Sequence, residues 1–166
     1  MSDDGLGQAP GRVDLMPHDP RWARAFETET RRLAKVMPPE AWLHHIGSAS
    51  VPDLAAKPIL DLALVARPEH HAALSVGLER SGYAARGERS GLLFIKTRNG
   101  RRTHNLHVYS PDAPELGEQI AFRDRLRADR TLRDAYAALK TDLARRVPRG
   151  DYAEAKGPII RAALGR

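Results

Sequence analysis

The segment that decides the fold is HHIGSASVPDLAAKPILDLALV, residues 44–65. Two short apolar runs flank a loop of small residues, and apolar runs bounded by Gly and Pro predict buried strands. We therefore assign strands to residues 41–46 and 59–65. Gly47 lets a ligand approach the backbone, and Ser48 and Ser50 offer hydroxyl groups beside it. This composition indicates a loop that holds an anion or a phosphate.

Asp61 lies on the second of these strands, where an ionised carboxylate is costly unless a cation accompanies it. A phosphate-holding loop followed by a strand carboxylate that binds Mg²⁺ is the arrangement that nucleotidyl transfer uses. We therefore predict that Asp61 is catalytic and binds the metal, and that Lys57 in the loop binds phosphate. A two-metal site usually needs a second carboxylate, but position 63, which shares a strand face with Asp61, holds Ala63.

Histidines supply the candidate acid and base groups. His45 directly precedes the loop, and His107 lies on a predicted strand, 103–109. Histidine titrates near neutral pH, so both are predicted catalytic residues. His104 lies three residues before His107, so a regular strand directs their side chains to opposite faces. A lone strand histidine is also commonly structural, and that alternative stays open.

Arg123 and Arg127 lie four residues apart, on one face of a predicted helix. Two guanidinium groups on one face can hold a phosphate or carboxylate through paired hydrogen bonds. A solvated helix face with a local ion pair to Asp124 explains the same pattern, and the sequence does not choose between the two. Both arginines are therefore candidate phosphate ligands.

Composition narrows the class of protein. The 166 residues are 42% apolar and 29% charged, with no cysteine, so disulfides, thiol catalysis and Cys-ligated metals are excluded. Residues 86–166 carry 18 Lys and Arg against 10 Asp and Glu, which favours nucleotides or small anionic substrates. Aromatic residues are only 5%, which argues against nucleic acid as a partner. We expect one domain over residues 13–166, a disordered tail over residues 1–12, no membrane span and a cytoplasmic location.

The remaining patterns predict an α+β fold with a small mixed sheet flanked by helices. A first helix begins at Pro20 with Asp19 as its N-cap, and Asn99-Gly100 is the signature of a tight hairpin turn. The other predicted elements are a helix over 68–80, strands over 83–86, 92–96 and 103–109, and helices over 114–129, after Thr131 and after Asp151.

Six motifs in this order are shared with a known family. They are HIGSASVP at 45–52, AKPILD at 56–61, THNLHV at 103–108, FRDRLR at 122–127, YAALK at 136–140 and YAEAK at 152–156. On these motifs the chain resembles the GrpB family over about residues 13–164. It departs from the family pattern at His44, Asp53 and Asn105, where the family often has Glu, Gly and His.

The resemblance implies a fold similar to the nucleotidyltransferase superfamily, with additional C-terminal helices. It implies that Gly47 and Ser48 contact nucleotide phosphates, that Asp61 binds metal, and that His107 lies near the position of a later strand acid. The residues that it places in the same cleft are Lys57, Arg123, Arg127 and Lys140.

Three functions remain open. The first is transfer of a nucleotidyl group to an unknown acceptor with Mg²⁺. The second is a metal-independent enzyme that uses His45, His107 and Asp61 as acid–base groups on a small anionic metabolite. The third is a non-catalytic module that binds an anion or a partner protein.

Overall fold

A computed structural model describes residues 3–166, and within this range a five-stranded mixed sheet lies between two layers of helices. The predicted α+β architecture with a small mixed sheet is confirmed. In chain order the elements are α1 (Arg21–Leu33), β1 (Trp42–Ile46), β2 (Leu60–Val65), α2 (His71–Arg80), β3 (Ala84–Glu88), β4 (Leu92–Arg98), β5 (Arg101–Tyr109), α3 (Pro114–Ala128), α4 (Arg130–Arg146), α5 (Tyr152–Ala155) and α6 (Gly157–Ala163).

The strand order is β1-β2-β5-β4-β3, with β2 and β5 parallel and the other neighbours antiparallel. The alternation of side chains along β2 separates two faces of the sheet. The core face carries Leu60, Leu62 and Leu64, which join the cluster that contains α1 and α2 residues. The pocket face carries Asp61 and Ala63. A polar residue on a buried strand is therefore directed away from the larger apolar core.

The core face is covered by α1 and α2. Trp22 and Leu33 of α1 and Leu78 of α2 are 0% exposed and pack against the leucines of β2. Burying a side chain of this size contributes about 1.5–3 kcal/mol, so these contacts fix α1 and α2 on the sheet.

The pocket face is covered by the C-terminal helices. Ala63 packs with Leu116 of α3, while Phe122 and Tyr136 form a second cluster with Val51 and Leu54 from the loop that follows β1. The Phe122 and Tyr136 rings meet edge to face at 5.2 Å. This second cluster ties the loop to the helices, which is how the loop becomes one wall of a pocket.

The N-cap of α4 differs from the predicted one, whereas the turn between β4 and β5 agrees with the prediction. Asp129, rather than Thr131, caps α4, because its Oδ1 accepts the Leu132 N–H at 2.9 Å. Asn99 and Gly100 have φ of 52° and 72°, which is the tight turn that the Asn-Gly pair predicts between β4 and β5.

The described part of the expected disordered tail is packed instead. Leu6 is 4% exposed within the main core, and Gly7 N–H donates to the Pro58 carbonyl at 2.9 Å. Gln8 forms an antiparallel backbone bridge with Arg102 of β5. Leu6, three backbone hydrogen bonds and the ion pair between Asp4 and Arg98 hold the segment, and none of these contacts stands out in a Gly-rich sequence. Residues 1 and 2 lie outside the described range. Over residues 3–166 no helix is both long and apolar enough to cross a bilayer.

Candidate anion-binding pocket

A cavity of about 290 Å³ lies between the pocket face of the sheet and helices α3 to α6. The sheet side is formed by Gly47, Ser48, Asp61 and His107. The helix side is formed by residues of α3, α4 and the C-terminal segment. The predicted phosphate loop and strand acid therefore do lie together at one pocket.

Asp61 is held in place by the neighbouring strand. Asn105 is its direct register partner on β5 and donates from Nδ2 to Asp61 Oδ1 at 2.8 Å. On the other side the carboxylate lies against the turn after β1, where a Cβ added to Gly47 would be 2.6 Å from Asp61 Oδ2. Gly47 also has φ of 72°, so the turn requires glycine both for its backbone and for the close approach of the carboxylate.

Three lysines from separate parts of the chain line the pocket: Lys57 from the loop before β2, Lys140 from α4 and Lys156 directly after α5. These are the three pocket lysines. Tyrosine rings separate them, with Lys57 Nζ and Lys156 Nζ at 5.5 Å and 4.7 Å from the centroid of Tyr152. Lys140 Nζ lies 5.0 Å from the centroid of Tyr136 and donates to the Ala55 carbonyl.

The lysines are electrostatically costly in this position. Burial, followed by the positive charges of Lys156 and Lys57, lowers the pKa of Lys140 to about 7. Burial also lowers the pKa values of Lys57 and Lys156, against the opposing pull of Asp61. Because clustered, desolvated ammonium groups repel one another, the pocket favours any ligand that brings negative charge.

The donor set does not fit the expected Mg²⁺ site. Among the described residues that line the pocket, Asp61 is the one carboxylate, and Lys57, Lys140, Lys156 and Arg123 oppose it. Across residues 3–166 no group of three or more His, Cys, Asp or Glu side chains could hold a metal ion. Mg²⁺ binds preferentially to several oxygen ligands, which this pocket does not offer from charged side chains. Because four cationic side chains surround the one carboxylate, the pocket attracts anions instead.

His107 lines the pocket with one nitrogen already fixed. Its Nδ1 lies 2.9 Å from the Ser90 carbonyl and 3.1 Å from the Arg89 carbonyl, and carbonyl oxygens only accept. Nδ1 is therefore the protonated nitrogen, and Nε2 of the neutral ring is an acceptor. The predicted opposite placement of His104 and His107 holds, since His104 is 2% exposed near Tyr83, on the core face.

His45, a predicted catalytic residue, does not line the pocket. It is paired in register with Leu62 and stacks on Phe26 of α1, with ring centroids 5.0 Å apart. Burial, and then the charges of Arg127 and Arg123, lowers its pKa to about 3, so the ring stays neutral in the core. Apolar residues of β1 lie on both faces of the strand, as Leu43 and Ile46 show. For this reason the sequence did not reveal whether His44 or His45 faces the core.

Three further predicted phosphate ligands donate hydrogen bonds to backbone carbonyl groups. Arg127 donates to the Ser50 carbonyl at 2.7 Å and 3.1 Å, and Ser50 Oγ donates to the Gly47 carbonyl at 2.6 Å; neither side chain lines the pocket. Arg123 does line it, while its Nη1 donates to the His45 carbonyl at 3.1 Å. The two arginines thus hold the two ends of the turn that carries Gly47.

The pocket also contains Tyr136, Tyr152 and Lys156, which were not predicted as site residues. Two signals in the sequence point to them. Tyrosine precedes lysine by four residues in both 136–140 and 152–156, a spacing that places both side chains on one helix face. In addition, the chain has only five lysines among its 27 basic residues, and Lys57, Lys140 and Lys156 are three of them.

The chain is similar in sequence to known proteins. A family model described as GrpB protein matches residues 12–166. The UPF0157 protein BH1888 of Halalkalibacterium halodurans is 36% identical over 159 residues, which are 93% of this chain and 82% of that protein. The UPF0157 protein YqkA of Bacillus subtilis is 34% identical over 92% of this chain, which spans only 46% of YqkA.

Solved structures agree with the fold. The crystal structure of the conserved protein GrpB from Enterococcus faecalis superposes with a TM-score of 0.79 at 31% identity, covering 92% of this chain and 98% of that one. The Cid1 poly(U) polymerase with MgGTP bound superposes with a TM-score of 0.54 at 14% identity, covering 78% of this chain and 44% of that one. At this identity the second likeness concerns the fold alone, and it confirms the predicted nucleotidyltransferase-like architecture.

Proposed function

The chain belongs to the GrpB protein family, and we propose that its pocket binds a phosphorylated small molecule, with a nucleotide as the first candidate. The observation that carries the proposal is the convergence of Lys57, Lys140 and Lys156 on a cavity with one carboxylate. A ligand phosphate would relieve the repulsion among these lysines. The nucleotide is chosen because a protein of the same fold, the Cid1 poly(U) polymerase, has MgGTP bound.

In this proposal the lysines supply the positive charge, and no divalent cation is required. Hydrogen bonds between ammonium groups and phosphate oxygens contribute about 1.5–3 kcal/mol each. Tyr152 is almost fully buried at the pocket and its hydroxyl has no partner within the described residues, so it is available to donate to the ligand. The aromatic rings and apolar side chains on the helix side would contact the uncharged part of the ligand.

Calorimetry with ATP, GTP, CTP and UTP, each in EDTA and in Mg²⁺, tests the proposal. We expect binding in EDTA, and about a tenfold or greater loss of affinity in Lys57→Met and Lys156→Met. Lys35→Met is the matched control, because it removes the same charge from an exposed position. Failure of all four nucleotides and of inorganic tripolyphosphate to bind would refute the proposal, and binding only with Mg²⁺ would refute its metal-free form.

Nucleotidyl transfer is the second candidate, and the placement of Asp61 favours it. The carboxylate lies against the Gly47 turn, and its Oδ1 accepts the hydrogen bond from Asn105. Its other oxygen, Oδ2, can therefore accept the proton of an attacking hydroxyl. Lys57 and Lys156 would neutralise the triphosphate. Release of pyrophosphate from a nucleoside triphosphate, abolished in Asp61→Asn, is the expected result. If nucleotides bind but no pyrophosphate is released with any acceptor of a panel, nucleotidyl transfer is refuted and the pocket has a binding role alone.

A further inference from the structure

We propose that Lys140 is a nucleophile that forms an imine with an aldehyde or ketone carrying a phosphate group. The proposal rests on the phosphate-binding role proposed for the pocket, and it adds a covalent activity to it. Lys57 and Lys156 would hold the phosphate, while Lys140 would react with the carbonyl carbon.

The choice of lysine over arginine is the first argument. All five lysines lie within the described residues, against 22 arginines in the chain. Lys35 is exposed, Lys96 pairs with Glu29, and the other three line the pocket. An arginine would supply charge equally well, but its guanidinium does not lose its proton in proteins, whereas a lysine amine can. Lysine in a pocket of an arginine-rich chain therefore indicates a need for the amine.

The surroundings of Lys140 are the second argument. Its side chain is 2% exposed, lies beside the Tyr136 ring and has Lys57 and Lys156 as its charged neighbours. Burial and nearby cations are the two conditions that make a lysine amine nucleophilic at neutral pH. The Ala55 carbonyl accepts one N–H of Lys140, which orients the nitrogen and leaves its lone pair available.

The reaction balances without a further reactant. The neutral amine attacks the carbonyl carbon, and the carbonyl oxygen takes up a proton to give a carbinolamine. The carbinolamine then loses water, so a C=N bond replaces the C=O bond and both N–H hydrogens leave with the oxygen. His107 lines the same pocket with Nε2 as its acceptor nitrogen, so it can take the amine proton and return it to the departing hydroxyl.

Pyridoxal 5′-phosphate is a suitable probe, because it carries both an aldehyde and a phosphate, and pyridoxal is its matched control without the phosphate. The full chain is incubated with each aldehyde, reduced with borohydride and mapped by peptide mass spectrometry. We expect reduced label at Lys140 several times faster than at Lys35, faster with the phosphorylated aldehyde, and slowed by tripolyphosphate. Lys140→Arg, which keeps the charge, should lose this label while retaining the circular dichroism of the parent chain.

The other outcomes separate the two proposals. Equal labelling of Lys140 by both aldehydes would support the nucleophile and count against phosphate binding. Binding of tripolyphosphate by calorimetry without preferential label at Lys140 would support the phosphate pocket and overturn the nucleophile. Label that favours Lys57 or Lys156, or that spreads evenly over the five lysines, would also overturn the assignment of Lys140.

Discussion

At the scale of single residues, Gly47 connects the backbone of the turn to the chemistry of Asp61. We predict that Gly47→Ala lowers the free energy of unfolding by about 1–3 kcal/mol, because it adds a positive-φ strain and a Cβ only 2.6 Å from Asp61 Oδ2. Gly82→Ala is the matched control, since Gly82 has φ of +87° but nothing within 4 Å of an added Cβ. Urea unfolding of both variants measures the difference, and equal losses would show that the contact with Asp61 contributes nothing.

Lys140 should couple stability and anion affinity to pH. Its pKa is lowered by burial to about 7 from an ordinary value of 10.5, so the unfolded chain binds more protons between these values. Stability should therefore rise with pH across this window, and Lys140→Met should remove that slope and stabilise the chain by about 1–3 kcal/mol at pH 6. Thermal unfolding against pH measures both effects.

Ligand binding should show the opposite pH trend from the same residue. A bound anion favours the protonated form of Lys140, so affinity should fall as pH rises through about 7. The other titratable groups that line the pocket are Lys57, Lys156, Asp61, His107, Arg123, Tyr136 and Tyr152. Burial raises the pKa of Tyr136 to about 12, which lies outside this range. Sulfate is the appropriate ligand for calorimetry, because its charge is constant here. A pH-independent affinity for sulfate would contradict the prediction.

At the scale of elements, Glu29 joins α1 to the sheet. It is 5% exposed and accepts hydrogen bonds from Arg32, from the Tyr83 hydroxyl at 2.6 Å and from Lys96 Nζ at 3.1 Å. Burial raises its pKa, but the bonds from Arg32 and Tyr83, together with the electrostatic effects of His104 and Lys96, outweigh burial and bring the pKa to about 2. The core face of the sheet thus contains an ionised carboxylate with three partners, which is the condition for burying one.

We predict that acid weakens the attachment of α1 through this carboxylate. A lowered carboxyl pKa gives stability that is complete above about pH 4.5 and is lost as pH falls through about 2. The loss should be roughly 1–3 kcal/mol, allowing for solvent screening. Glu29→Gln should be less stable at pH 7, because Lys96 loses its charged partner, and should show a flatter slope between pH 4.5 and pH 2. Urea midpoints over that range test this, and an unchanged slope would contradict it.

The elements themselves follow from local sequence, but their docking does not. The strand over residues 60–65 is visible in the sequence as an apolar pattern of two-residue period. The turn at Asn99-Gly100 is visible because this pair of residues favours a tight hairpin turn. Whether His45 lies on the core face or the pocket face depends instead on which residue of β1 pairs with Asp61 of β2. That register is set by strand pairing, not by the local sequence. The meeting of Lys57 with Lys140 and Lys156 depends on helix packing across about a hundred residues of chain, which no local pattern records.

At the scale of the whole molecule, the sheet separates two tasks. The core face holds the large apolar cluster and the Glu29 network. The pocket face instead has buried lysine side chains at its centre. Repulsion among the three pocket lysines opposes the packing of α4 and the C-terminal segment against the turn. A protein that keeps such a cluster has a less stable unliganded state than the same fold with apolar side chains there. A bound anion reverses this effect by giving the lysines a common partner.

We therefore predict that anion binding stabilises the C-terminal helices more than the sheet. Lys57, Lys140 and Lys156 lie before β2, on α4 and after α5, so one ligand links three segments. Without it these segments meet through apolar contacts, the hydrogen bond from Lys140 to the Ala55 carbonyl and the contact of Lys57 with the Tyr152 ring. At a hundredfold excess over the dissociation constant the gain is about 2.7 kcal/mol. Hydrogen exchange with and without tripolyphosphate should show the largest slowing over residues 152–163 and little change in β2 and β5. Lys156→Met should lose this slowing while Lys35→Met keeps it, and uniform slowing over the whole chain would contradict a local link.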